Sequence, residues 1–268
     1  MGKINKLING LKMLINNPAL LNLIIDDEDF HKKEIIKKYK LESGLNEINF
    51  FDLLNDKKIE INKFAFLDGG SLPTDLSLIQ LIALKINAEN YFEIGTWRGE
   101  SVCAARQIVK NCTTFNLSKL QMQERNWNQQ YIDLHGYFSR NDSSIIHLEG
   151  DSRKFNFKDY FNSQDLVFID GDHHFDSVVN DTKVAFQLIK KNKGAIIWHD
   201  YAHSPENVRW NVLHAIIEGT PKEFRNNLVA VSNTLCCAFL PFYLETTKRN
   251  YPKIPKQFFS IELTSNAQ

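Results

Sequence analysis

Two short stretches bring ionisable side chains to the ends of apolar runs. "DLVFID" (165–170) runs directly into Gly171, Asp172, His173 and His174, and "GAIIWHD" (194–200) ends on His199 and Asp200. Acids and imidazoles in this arrangement can do two kinds of work. An imidazole titrates near neutral pH and can take a proton from a hydroxyl. Carboxylates can hold a hard cation such as Mg²⁺, which lowers the pKa of a bound hydroxyl as a Lewis acid. His173, His199 and Asp170 are the candidates for catalysis, and Asp170 with Asp200 for a metal. A third stretch, "FEIGTWRGES" (92–101), places Gly95 and Gly99 around a turn. Glycines there permit a tight turn and close approach of a ligand to backbone, although a plain strand-to-helix turn has the same composition.

These residues need elements to hold them. From residue 90 the chain alternates apolar runs with amphipathic stretches. The strand candidates are 90–95, 113–117, 144–150, 165–170 and 194–200, and 228–242 is expected to form a closing hairpin. A helix is expected over 175–191. This alternation predicts an α/β fold: a Rossmann-like, mostly parallel sheet flanked by helices. In such sheets ligands bind beyond the carboxyl ends of the strands, where the acids and histidines above fall.

Residues 1–70 are expected to be an N-terminal helical segment serving as a lid or for dimerisation, ahead of a main domain over 71–268. Ile4, Leu7, Ile8, Leu11, Leu14 and Ile15 recur at helical spacing within 3–25. The polar face carries few cations for a lipid-surface helix, so packing on the core or on a second subunit is expected, and a homodimer is plausible. "DDEDFHKKEIIKKYK" is expected to be a solvated helix face. Thr74 or Asp75 is expected to cap the helix that follows "LDGGSLPTD".

Composition narrows the function. Lysine plus arginine equal aspartate plus glutamate at 32 each, so the chain carries no electrostatic footprint for nucleic acid. The cysteines (Cys103, Cys112, Cys236, Cys237) form no CxxC pair, which argues against structural zinc and for reduced thiols. No apolar run is long enough to span a membrane, and the first residues do not form a signal peptide. A cytoplasmic protein without membrane partners is expected.

The glycine loop fits neither GxGxxG nor GxxxxGK[ST], which points to a nucleoside ligand lacking a pyrophosphate to cradle. "YFEIGTWRGES" resembles motif I of class I S-adenosylmethionine (SAM)-dependent methyltransferases. "DLVFIDGDHHFDSVVNDTKVAFQLIKKNKGAIIWHDY" is similar to the fourth and fifth strands of the branch that includes small-molecule O-methyltransferases and cephalosporin-hydroxylase-like proteins. The resemblance covers roughly residues 75–245. It implies SAM as cofactor and O-methylation of a small hydroxylated molecule. It further implies that Gly95, Thr96 and Gly99 line the methionine part of SAM, and that Glu93 holds the loop or the amino group. By the same resemblance, Asp151 and Ser152 lie near the adenine, Asp170 faces the methyl donor or a metal, and Asp172, His173, His199 and Asp200 ring the acceptor. The family's second strand ends in an acid that bonds the ribose hydroxyls. Here Asn116 stands near that place, and an amide bonds a hydroxyl less strongly than a carboxylate does.

Two other functions share these residues: a metal-dependent hydrolase or hydroxylase-like enzyme, and a non-catalytic binding module on the same fold. Several residues also have plain structural roles available. His174 is expected at the surface, Asp181 on an exposed helix face, Asp176 as a helix cap, and Trp97 and Trp198 in the core. Arg209 is expected to meet an acidic substrate or to pair with Glu206.

Overall fold

The computed structural model describes residues 2–21, 28–55 and 57–265. In chain order, α1 (Lys3–Asn16) and α2 (Glu28–Tyr39) precede β1 (Glu47–Ile48), α3 (Phe50–Leu54) and α4 (Pro73–Ile86). Next come β2 (Asn90–Ile94), α5 (Glu100–Arg106), β3 (Asn111–Asn116), α6 (Lys119–Glu124), α7 (Gln129–Leu134) and β4 (Ile145–Glu149). The second half holds β5 (Leu166–Ile169), α8 (Phe175–Leu188), β6 (Ala195–Trp198), β7 (Ala202–Ser204) and β8 (Asn207–Val208). It closes with α9 (Trp210–Gly219), β9 (Leu228–Val231) and β10 (Cys237–Phe239).

The main sheet has the order β1-β9-β10-β6-β5-β2-β3-β4. Its pairings are parallel except for those of β10, which runs antiparallel to β6 and β9. Every expected strand stretch therefore contributes to one sheet, and 228–242 supplies the hairpin β9–β10. Alternate residues of a strand face opposite sides, and the core divides accordingly. Phe92, Val167, Ile169, Ile196 and Trp198 pack with Leu188 of α8 and Leu213 and Ile216 of α9. Tyr91, Phe168 and Ile197 pack with Leu76 and Ile79 of α4 and Val102 of α5 on the other face. β5 and β6 are buried at every position, as strands covered on both faces must be.

Strand order reverses between β2 and β5. Connections leave β2 toward β3 and β4 on one side, whereas β5 leads to β6 on the other. The crevice opens where those two strands end, at Gly95 and Asp170.

The N-terminal segment differs from expectation in three ways. α1 buries none of its residues in this chain, and Ile4, Leu7, Leu11 and Ile15 are exposed, so it does not pack on the core. Residues 22–25 of that expected helix, and 26–27 of the next, lie outside the described residues. α2 is more than a solvated face: Ile35 is fully buried, Tyr39 donates to Glu218 Oε1 at 2.8 Å, and Glu28 accepts from Trp210 N–H at the start of α9. β1 pairs with β9, so part of the 1–70 segment is built into the sheet. No helix among the described residues is long and apolar enough to cross a membrane.

Gly95 has φ +100°, and a Cβ added there would run into the Asp170 carbonyl. Gly95→Ala is expected to cost roughly 2–5 kcal/mol, from left-handed strain plus overlap. Urea unfolding measures this directly. A stability within about 0.5 kcal/mol of wild type, the range of ordinary surface changes, would show that the two strand ends are not closed this tightly.

Candidate active site

The loop after β2 is supported from beneath by a buried polar cluster. Glu93 has no solvent exposure. Its Oε2 accepts from Tyr91 Oη at 2.7 Å and its Oε1 from Thr114 Oγ1 at 2.8 Å. Burial pushes its pKa up to about 8, against the pull of hydrogen bonds from Ser101, Tyr91 and Thr114. Thr96 is also buried, sharing a 2.6 Å hydrogen bond with Thr114 Oγ1. Gly99 has φ +83° and packs against Ser139, where a side chain would not fit. Glu93, Thr96 and Gly99 shape the loop and stand outside the crevice lining.

The crevice itself has a volume of about 800 Å³. Gly95, Asn116, Asp151, Ser152 and Asp170 line it, as do Asp172, His173, His199 and Asp200. Asp151 accepts from Arg153 N–H at 3.0 Å and meets the Arg125 guanidinium at 3.4 Å. Asn116 holds the neighbouring strand through its carbonyl, which accepts from Gly150 N–H at 2.8 Å.

His199 is the centre of charge. It is 8% exposed. Its Nε2 lies 3.2 Å from Asp75 Oδ2, and its Nδ1 lies 3.1 Å from Asp170 Oδ1 and 3.2 Å from Asp200 Oδ2. Nδ1 is buried, and neither of those two oxygens meets it in hydrogen-bonding geometry. Burial disfavours a charged ring, but Asp170, Asp200 and Asp75 together raise its pKa well above the ordinary histidine value. Asp200 is held well below the usual carboxylate range. Burial raises it, and His199, His173 and Arg209 outweigh that. One ligand atom each from Asp170, His199 and Asp200 can be chosen so that all lie within 4.8 Å of one another.

Register explains the convergence. Ile169 pairs with Trp198 across parallel β5 and β6, so the residues that follow, Asp170 and His199, emerge side by side. Asp75 arrives from α4. It does not cap that helix from the preceding position, as expected of Thr74 or Asp75. It sits inside the first turn, where Oδ2 accepts from Leu72 N–H at 2.6 Å.

The remaining candidates fall into place around this cluster. His173, whose side chain is 41% exposed, sets Nε2 3.2 Å from Asp200 Oδ2. His174 is at the surface as expected, hydrogen-bonded to Asp172. Asp172 also accepts from Ser177 Oγ at 2.7 Å; these bonds outweigh its burial and lower its pKa. Asp181 is not on an exposed face: it is 3% exposed, and burial raises its pKa. Asp176 lies in the first turn of α8 while His174 occupies the cap position. Trp198 is core, donating Nε1–H to Thr182 at 2.9 Å. Trp97 is half-buried, held by Tyr131 at 4.3 Å between ring centroids and by the Arg98 guanidinium at 5.2 Å. Arg209 pairs with Asp200 at 3.6 Å, and Glu206 instead accepts from Lys253 N–H.

Three contributors were missed from sequence: Asp75, the aromatic group Trp127, Tyr131 and His135, and the loop 68–70. The aromatics are spaced four residues apart, a one-face pattern that was available as a signal. Loop 68–70 is tied down by Arg98, which donates to the Asp68 and Leu67 carbonyls at 3.0 and 3.1 Å. Nothing local marks that contact.

Residues 92–201 match the family described as "Methyltransferase domain". An uncharacterised protein of Acanthamoeba polyphaga mimivirus is 30% identical over 129 residues, which is 45% of this chain and 53% of that one. The chain thus spans about half the length of that curated relative. Among solved structures, the SAH-bound Podospora anserina methyltransferase PaMTH1 is similar with a TM-score of 0.45 and 15% identity, over 71% of this chain and 85% of that chain. The O-methyltransferase from Bacillus cereus, solved in complex with SAH, is similar with a TM-score of 0.42 and 14% identity, over 78% of this chain and 96% of that chain. The stretch that matches this family, 92–201, holds the glycine turn at 95 and the acid–histidine strand ends at 170 and 199–200.

Proposed function

We propose that this chain methylates an oxygen of a small hydroxylated molecule, using SAM and a divalent cation held by Asp170, His199 and Asp200. The observation that carries the reading is the buried His199 Nδ1. It faces two carboxylates at 3.1 and 3.2 Å without an aligned partner, at the crevice edge of a methyltransferase domain. Two acid oxygens and one imidazole nitrogen form a donor set that fits a dication.

SAM, held in this crevice, would supply the methyl group for the acceptor oxygen. A bound dication supplies Lewis acidity at the acceptor hydroxyl. The rest falls to the chain. Gly95 keeps the turn free of a side chain beside Asp170, so backbone can approach the cofactor closely. In this reading Asn116, Asp151 and Ser152, which line the crevice, bond the ribose and meet the adenine edge. His199 has carboxylates at both ring nitrogens and serves as a ligand, not as the base. His173 is the accessible imidazole. It takes the acceptor's proton, and Asp200 at 3.2 Å stabilises the resulting imidazolium. Arg209, 3.6 Å from Asp200, offsets part of its charge.

Four outcomes are expected. Calorimetry with S-adenosylhomocysteine should show binding to the wild type, and its absence would end the SAM reading. Asp170→Ala should reduce methyl transfer by more than about a thousandfold while leaving the thermal midpoint within a few degrees. Retained turnover would remove the proposed centre. Asn116→Asp should tighten SAM binding by about tenfold, because a carboxylate accepts hydroxyl hydrogens more strongly than an amide. Weaker binding would show that residue 116 does not hold the ribose. His173→Gln should slow turnover by about 10²–10⁴-fold without changing product affinity, as loss of a general base does. An unchanged rate would assign proton removal elsewhere.

A further inference from the structure

Asp75 belongs to no motif and lies fully buried behind the site. Its oxygens are met by donors on every side. Oδ2 accepts from Leu72 N–H at 2.6 Å and lies 3.2 Å from His199 Nε2, while Oδ1 accepts from Leu235 N–H at 2.8 Å and from the Cys236 thiol at 3.5 Å. A carboxylate so placed offers His199 an acceptor only, so the proton of a neutral ring is fixed on Nε2. The lone pair is then fixed on Nδ1, the atom that faces Asp170 and Asp200. A carboxylate that orients a histidine in this way also raises its strength as a ligand.

The donor set has a consequence for the metal. Magnesium prefers oxygen ligands in near-octahedral geometry and gives up water reluctantly. Imidazole nitrogen is a softer donor suited to later ions. An all-carboxylate site would leave the choice to charge and size. A buried nitrogen, preset by a second carboxylate that itself cannot reach the ion, biases it.

We propose that His199, oriented by Asp75 as a positioning residue, makes this centre selective for a first-row transition-metal dication over Mg²⁺. The proposal rests on the metal-assisted reading above and deepens it. Asp75 lies in α4 and meets only the far nitrogen of the ring, so it acts through His199 and not on substrate.

Metal-free protein should be titrated with CoCl₂ and with MgCl₂, followed by calorimetry and by the visible spectrum of cobalt. Cobalt is expected to bind at least about a hundredfold more tightly than magnesium. Because oxygen sites also favour cobalt somewhat, the decisive comparison is His199→Asn. That variant should narrow the cobalt-to-magnesium ratio by about tenfold or more and shift the cobalt absorption bands. Asp75→Asn, which keeps shape and an acceptor oxygen, should weaken cobalt binding by about tenfold. In proton NMR of the cobalt-loaded protein, one exchangeable, hyperfine-shifted resonance is expected from His199 Nε2–H. It should be lost in His199→Asn and exchange faster with water in Asp75→Asn. Thermal melts of each variant show that the fold is intact.

Equal affinity for the two ions, a ratio unchanged in His199→Asn, or the absence of the shifted proton would overturn the proposal. If ions bind without preference, only this inference falls. If neither ion binds while S-adenosylhomocysteine does, metal assistance falls with it and the methyltransferase reading stands.

Discussion

Three carboxylates converge on one buried imidazole, and the crevice is organised around balancing that charge. Asp75, Asp170 and Asp200 each lie within 3.2 Å of a His199 nitrogen, with little water to screen them. Like charges this close are costly in a low-dielectric site unless a cation intervenes. The ring alone answers in part, by holding a proton far more tightly than an ordinary histidine. Arg209 and His173, both at Asp200, answer at the rim. The dication proposed for Asp170, His199 and Asp200 would complete the balance in place of the second ring proton.

The fold delivers this convergence through register, with no long-range loop. Parallel β5 and β6 end together, so their C-terminal residues must be neighbours. β10, antiparallel to β6, brings the segment before it back to the same edge, where Leu235 N–H anchors Asp75. The carboxylate of α4 thus reaches the site because the sheet and one helix meet there. The absent Cβ of Gly95 lets β2 close onto β5 from the other side. One missing methyl group and one strand register account for most of the site's geometry.

Much of this was legible in sequence because apolar runs ending in acids are a local signal. The strands of the sheet, the hairpin and the crevice-lining residues Asp170, His173, His199 and Asp200 follow from it, whereas Asn116 and Asp151 rest on the family resemblance. What was not legible depends on partners distant in the chain. Asp75 is 124 residues from His199, and a helix-start aspartate looks like a cap in any sequence. Asp181 was misplaced for a related reason: polar residues on amphipathic helices usually face water, but here the loop after β5 folds over that face, with Gly171 beside its carboxylate. For Glu93, expected to hold the loop or an amino group, burial beneath the loop supports the first role.

The same distinction between local and distant signals bears on residues before the matched domain. Loop 68–70 lines the crevice, and it is held by Arg98, whose guanidinium is buried beside Glu100 at 3.6 Å. Charged donors to backbone carbonyls are stronger than neutral ones, so this loop is fastened where loops are ordinarily loose. Arg98 follows Trp97 in the motif I turn, and Trp97 in turn carries Tyr131 of α7. The glycine turn at the crevice edge therefore also fastens two walls, one from upstream of the matched residues and one from the β3–β4 connection. A change in the turn's shape is transmitted to both walls by direct contact. The upstream segment is consequently part of the binding architecture, even though the chemistry-bearing motifs lie wholly after it.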